Sequence, residues 1–206
     1  MITKKHIRIY QITKKVTTSN IEIKDLLIGW FIISLSFAFV LSPERFLINN
    51  EFLFYFVASG VGVGLGFIFH EIGHKILAQK YGCFAEFRAN YPMLAVALLM
   101  SIFLKVVFAA PGAVIIAGGH VDFRRNGKIA AVGPLVNLIL SFVFLIMLLL
   151  FQSAIFKYGF FINAWLALFN MIPFGFFDGV KIFKWNKAVY VTMIFFAVVL
   201  VLLSSI

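Results

Sequence analysis

Apolar residues fill six long blocks of the chain: Leu26 to Leu41, Phe52 to Phe69 with a continuation through Gln79, Met93 to Phe108, Ile129 to Phe151, Tyr158 to Ile172, and Ala188 to Leu203. A helix of about 20 apolar residues crosses the hydrocarbon core of a bilayer. The blocks meet or approach that length. The pattern predicts a mainly α, polytopic transmembrane helical bundle of five or six spans, with short membrane-associated strands. Residues 26–206 form one membrane-embedded domain behind a basic cytoplasmic segment, residues 1–25, in which Ile7 and Ile9 alternate with polar neighbours like a short strand at a membrane surface.

The charges between the blocks set the direction of travel. With Lys4, Lys5, Arg8, Lys14, Lys15 and Lys24 inside, the loop from Pro43 to Glu51 lies outside with Arg45 as its single basic residue, and the second helix returns to Lys75, Lys80 and Arg88. A full crossing by Met93 to Phe108 would put Arg124, Arg125 and Lys128 outside and Lys105 in the hydrocarbon. That block is therefore expected to be re-entrant. The glycine-rich stretch Pro111 to Asp122 surrounds a β-branched run and reads as a strand or hairpin resting against protein. Five crossings then leave the C-terminus outside, with six as the alternative.

Composition sharpens this reading. The 206 residues are 63% hydrophobic and 13% charged, and the mean hydropathy is +1.04, far from the roughly half-apolar usage of soluble domains. The expected setting is an integral, multi-pass protein of the plasma membrane. A formal charge of +10 would suit nucleic acid, but the basic residues sit between apolar runs, where they meet anionic headgroups; no nucleic-acid partner is expected. Cys83 is the sole cysteine, which excludes an intrachain disulfide.

Chemistry enters with His70-Glu71-Ile72-Gly73-His74. On a helix this spacing places both imidazoles on one face, a turn apart. Two neutral imidazoles suit Zn2+, and Glu71 then stands beside the attacking water as its base. Imidazoles and a carboxylate at the end of an apolar helix are costly unless they satisfy one another, water or a metal. Upstream, Gly60, Gly62, Gly64 and Gly66 form two overlapping GxxxG patterns, which admit close helix neighbours.

A catalytic zinc site commonly takes three protein ligands and leaves one position open. Of the eight acidic residues, Glu22, Asp25, Glu44 and Glu51 flank the first span or its loop, while Glu86 and Asp122 fall in polar connections. Besides Glu71, Asp178 alone is set in strongly apolar surroundings. Pro173, Gly175 and Gly179 break the helix around it, which can turn its carboxylate toward the histidines. Asp178 is the candidate third metal ligand.

Together, His70-Glu71-x-x-His74, Gly133-Pro134-x-x-Asn137, and Asn170-x-x-Pro173 followed by Asp178-Gly179 resemble the site-2 protease family of intramembrane zinc metalloproteases, especially its compact archaeal and bacterial members. The resemblance runs from about Phe52 to Lys184. It implies zinc held by His70, His74 and Asp178, water activated by Glu71, and a three-helix catalytic core toward the cytoplasmic side. It also implies a place for Asn170 in holding the substrate or the developing oxyanion, with an interhelical hydrogen bond as the competing role. Asn137 reads as structural, and Gly133-Pro134 as a helix start. Val180 stands where the family has a second glycine.

The function expected is a zinc endopeptidase acting on transmembrane or membrane-proximal segments of proteins within the lipid bilayer. A membrane metal transporter or sensor, or an inactive scaffold, is the alternative. Glu71 discriminates, because hydrolysis needs a base beside the water and transport does not. His120 reads as a polar residue of the Gly118-Gly119 connection. The Gly118-Gly119 backbone is suited to offer an exposed edge for pairing with an unwound substrate, an expectation that proline substitutions at Val114 and Ile115 would test.

Overall fold

The computed structural model describes residues 16–44, 48–107, 111–119 and 121–204. The expected strand around Ile7 and Ile9, and His120, lie outside the described residues. The chain is mainly helical: α1 (Asn20–Leu41), α2 (Asn50–Lys80), β1 (Phe84–Ala89), α3 (Tyr91–Leu104), β2 (Gly112–Ala117), α4 (Phe123–Phe151), α5 (Ala154–Asn170), α6 (Asp178–Trp185) and α7 (Lys187–Ser204). Helices α1, α2, α4 and α7 are long and apolar enough to cross a membrane. Apolar side chains such as Leu149, Leu150, Phe151, Phe195 and Leu202 are exposed on their outer faces, as expected where lipid is the solvent.

The staggered glycines of α2 serve two neighbours. Trp30 of α1 lies over Gly64, where a Cβ would come within 2.9 Å of its Nε1, and Trp30 Nε1 donates to the Gly60 carbonyl at 2.9 Å. On the other face, a Cβ on Gly62 would meet the Gly159 backbone of α5 at 3.2 Å. Absent side chains thus let α1 and α5 close on α2 from opposite sides.

The block expected to be re-entrant forms the 14-residue α3, about 21 Å long at 1.5 Å per residue. It lies beside α1: Tyr91 Oη donates to Asp25 at 2.6 Å near its start, and Lys105 Nζ donates to the Phe39 carbonyl at 2.7 Å past its end. The chain then returns, and Asn90 N–H donates to the Pro111 carbonyl at 2.9 Å. The residues that flank the block, Asn90 and Pro111, are therefore neighbours. The carbonyl-rich C-terminus of α1, through Phe39 and Ser42, receives the Lys105 ammonium.

The β-branched run expected as a strand is β2, and its antiparallel partner β1 pairs Phe84 with Ala117 through Ala89 with Gly112. Glu86, assigned to a polar connection, belongs to β1. The outward N–H groups of β1 are taken by α1: Phe87 N–H donates to Glu22 at 3.0 Å and Ala89 N–H to Asp25 at 3.3 Å. Glu22 also receives Lys75 Nζ at 2.5 Å, and Lys75 donates to Thr18 at 2.8 Å. Both charges are buried, Glu22 to 1% exposure and Lys75 to 3%.

This pair ties α1, β1 and α2 together one residue beyond His74. Glu22→Gln keeps an acceptor for Phe87 but leaves the ammonium uncompensated, and should cost about 3–5 kcal/mol. Denaturant unfolding in detergent micelles checks this. Adding Lys75→Met should recover most of the loss.

Helix α4 begins earlier than the apolar block, at Phe123, because Asp122 caps it by accepting from Arg125 N–H at 2.7 Å. Gly133-Pro134 is consequently inside α4 and not at a helix start. At its far side α6 packs on α4 so closely that a Cβ on Gly127 would lie 2.1 Å from Trp185.

Candidate metal centre

His70 and His74 lie on one face near the cytosol-predicted end of α2, with ring centroids 4.6 Å apart. Asp178 is delivered by the break after α5. The helix stops at Asn170, Gly175 takes a positive φ of +67°, and α6 starts at Asp178 itself. Gly179 seats that turn against α5, since a Cβ there would fall 2.3 Å from the Met171 carbonyl. Asp178 Oδ2 thereby comes to 3.3 Å from His70 Nε2 and 3.0 Å from His74 Nε2. All three side chains are buried.

The remaining ring nitrogens fix the chemistry of the set. His70 Nδ1 is 2.6 Å from Asn137 Oδ1, and His74 Nδ1 is 2.7 Å from the Ile129 carbonyl. Both partners are oxygens that only accept, so both Nδ1 atoms carry hydrogen. In the neutral rings the Nε2 lone pairs then converge on a carboxylate oxygen. Three acceptors this close repel unless a cation lies among them.

The separations also fit, because ligands at 2.0–2.2 Å around tetrahedral zinc stand about 3.3 Å from one another. His70, His74 and Asp178 therefore form a set able to hold a metal ion. The outer contacts complete it: Asn137 orients His70, Ile129 orients His74, and Lys181 Nζ lies 3.4 Å from Asp178 Oδ1, the oxygen turned away from the histidines.

Glycine and proline in α4 make room for this arrangement. A Cβ on Gly133 would sit 2.4 Å from His74 Nε2 and 2.5 Å from His70 Nε2. Pro134 has no N–H for the Ala130 carbonyl, which opens the helix ladder beside the Ile129 carbonyl that His74 uses. Gly133 and Asn137, four residues apart, share a face; that spacing was the signal for the role of Asn137 as holder of His70.

Glu71 lines the same cavity and makes no hydrogen bond to protein among the described residues. The cavity wall also includes Asn170, Lys181, Phe176 and the strand positions Gly112, Val114 and Ile116. Asn170 Nδ2 donates to the Leu166 carbonyl of its own helix at 2.9 Å, which leaves its second amide hydrogen for another acceptor.

A protein of Methanocaldococcus jannaschii named "Putative zinc metalloprotease" is 42% identical over 177 residues, which cover 84% of this chain and 88% of that one. This chain belongs to that metalloprotease family. No family model matches the chain, and no solved structure matches it significantly. A metalloprotease requires a bound metal ion, and this chain has a group of side chains able to hold one. The buried His70, His74 and Asp178 form that group at the end of an apolar helix.

Proposed function

We propose that this metalloprotease is a zinc-dependent intramembrane endopeptidase of the site-2 type, cleaving transmembrane or membrane-proximal segments of other proteins. The observation that carries the reading is the convergence of two Nε2 atoms and Asp178 Oδ2 in a cavity that Glu71 and an open strand edge also line. In the proposed topology α1, α2, α4, α5 and α7 cross the plasma membrane and the block around α3 does not. The site then faces the cytoplasmic side.

Zinc, which His70, His74 and Asp178 would hold, would supply Lewis acidity that lowers the pKa of a water and polarises the scissile carbonyl. Glu71 takes the proton of the attacking water and passes it to the departing amine as the C–N bond breaks. Asn170 offers its second amide hydrogen to the substrate carbonyl as charge builds on the oxygen.

A helical substrate hides its carbonyls in internal hydrogen bonds, so it must be presented in extended form. The register of the sheet supplies an edge for this. Residues 113, 115 and 117 face β1, which leaves the backbone groups of Gly112, Val114 and Ile116 on the cavity side without a strand partner among the described residues. An extended segment adding to that edge lies along the cavity. Val114→Pro removes an outward N–H and leaves the β1 ladder intact. It should reduce cleavage about 5-fold, the loss of one backbone contact at about 1 kcal/mol. Wild-type rates in a folded Val114→Pro enzyme would exclude pairing there.

The test of the function is cleavage of single-span reporters by the chain reconstituted in liposomes. Zinc-loaded protein should yield product, a chelator should stop it, and added zinc should restore it. Absence of product across a reporter panel, with zinc bound, would sink the protease reading.

A further inference from the structure

Behind His70 two asparagines are fully buried at 0% exposure: Asn137, which also borders the cavity, and Asn163. Asn163 of α5 donates its Nδ2 to two backbone carbonyls, Gly159 at 2.9 Å and Gly62 at 3.2 Å. Backbone carbonyls only accept, and neither can turn away within its helix. The amide nitrogen of Asn163 is therefore held on that side. Its Oδ1 must face the other way, toward α4.

There it accepts from Asn137 Nδ2 at 3.3 Å, while the second hydrogen of that amide goes to the Gly66 carbonyl at 3.1 Å. With its nitrogen committed twice, Asn137 has to present Oδ1 to His70 Nδ1, at 2.6 Å. The imidazole proton then sits on Nδ1, and the lone pair sits on Nε2, facing Asp178. A flipped Asn137 would reverse this outcome: its NH2 would point at Nδ1, make that atom the acceptor, and place the proton on the nitrogen that faces the metal site. Burial excludes the water that would otherwise satisfy either orientation.

Glycines make the chain of bonds possible. A Cβ on Gly66 would lie 2.6 Å from Asn163 Oδ1 and 3.2 Å from Asn137 Nδ2, so a side chain there would displace the junction. We propose that Asn163 is a positioning residue that selects the metal-binding nitrogen of His70 by fixing the orientation of the Asn137 amide. The proposal rests on the reading of the site as a metal centre.

The experiment measures zinc affinity by chelator competition in the reconstituted wild type, Asn163→Ala, and Asn163→Ala with Asn137→Asp. It also records the 15N–1H signal of His70 Nδ1 in the zinc-loaded proteins. Removing an outer partner of a metal ligand costs about 10- to 100-fold in affinity. Asn163→Ala should lose about 10-fold, with the Nδ1–H signal broadened or lost.

In the double variant either carboxylate oxygen accepts from His70 Nδ1, so the tautomer no longer depends on an amide orientation, while the other oxygen cannot make the bond that Asn137 Nδ2 gave to the Gly66 carbonyl. The Nδ1–H signal should return, and affinity should recover in part. Packing lost at position 163 would not be repaired by a change at position 137. Unchanged affinity in Asn163→Ala, or a folded double variant without the Nδ1–H signal, overturns the proposal. Should the single variant fail to fold, a zinc-loaded wild type with no proton on His70 Nδ1 overturns it as well. A folded wild type that binds no zinc would instead remove the metal-centre reading itself.

Discussion

Glu71→Gln should lower cleavage of a reconstituted reporter by about 1000-fold, within the range for loss of a general base, while zinc affinity stays within about threefold of wild type. The two expectations are separable because Glu71 belongs to the cavity wall and not to the converging set of His70, His74 and Asp178. Glutamine has nearly the same volume, so the helix packing is preserved. What it lacks is an acceptor basic enough to take the water's proton. Steady-state cleavage beside a zinc titration checks both halves. Equal cleavage by the two proteins would remove Glu71 from the chemistry, and a large loss of zinc with the change would make it a ligand instead.

Gly133→Ala should reduce zinc affinity by about 100-fold or more without unfolding the protein. Its methyl group would occupy the point where the lone pairs of His74 and His70 converge, 2.4 and 2.5 Å from their Nε2 atoms. Either the methyl fills the metal position or the histidines move off the geometry that Asn137 and Ile129 impose on them. Helix α4 itself gains from the substitution, since alanine is favoured over glycine in a helix interior by up to about 1 kcal/mol. Zinc competition together with a thermal melt followed by circular dichroism distinguishes local from global damage. Wild-type zinc affinity in this variant would mean that the ion, if bound, sits elsewhere.

These two residues show different degrees of legibility. Glu71 was readable from its neighbours in sequence, because the i, i+4 histidines put a carboxylate and two imidazoles on one helical turn. Gly133 was readable only as part of a motif, and there as the start of a helix; its actual place is in the interior of α4, against the metal ligands. The apolar block gave the helix a late start at Ile129, whereas the Asp122 cap carries α4 back through a polar turn that hydropathy does not register. β1 was missed for a related reason. Its side chains mix Glu86 and Arg88, which pair with each other, with buried Ala85 and Phe87, and a run of six residues gives alternation little length in which to appear.

Asp178 was singled out by its apolar surroundings and the broken helix before it, but nothing local says which oxygen faces the histidines. That depends on Gly179 seating α6 against the end of α5 and on Gly127 admitting Trp185 to α4. Asn163 carried no signal at all. One asparagine in an apolar helix is an ordinary interhelical contact until the glycines of α2 are seen to bring Gly62 and Gly66 against it.

By itself the sequence determined the mainly helical, apolar architecture with helices long enough to cross a membrane, and the two histidines with their carboxylate. Those properties depend on hydropathy, charge placement and helical periodicity, which act over a few turns of chain. The tertiary structure alone decided which nitrogen of each imidazole faces the site, which oxygen of Asp178 joins them, and which edge of β2 has no strand partner among the described residues. Each of those choices is made by backbone groups from a different helix or strand, brought within hydrogen-bonding distance by packing that no local pattern encodes.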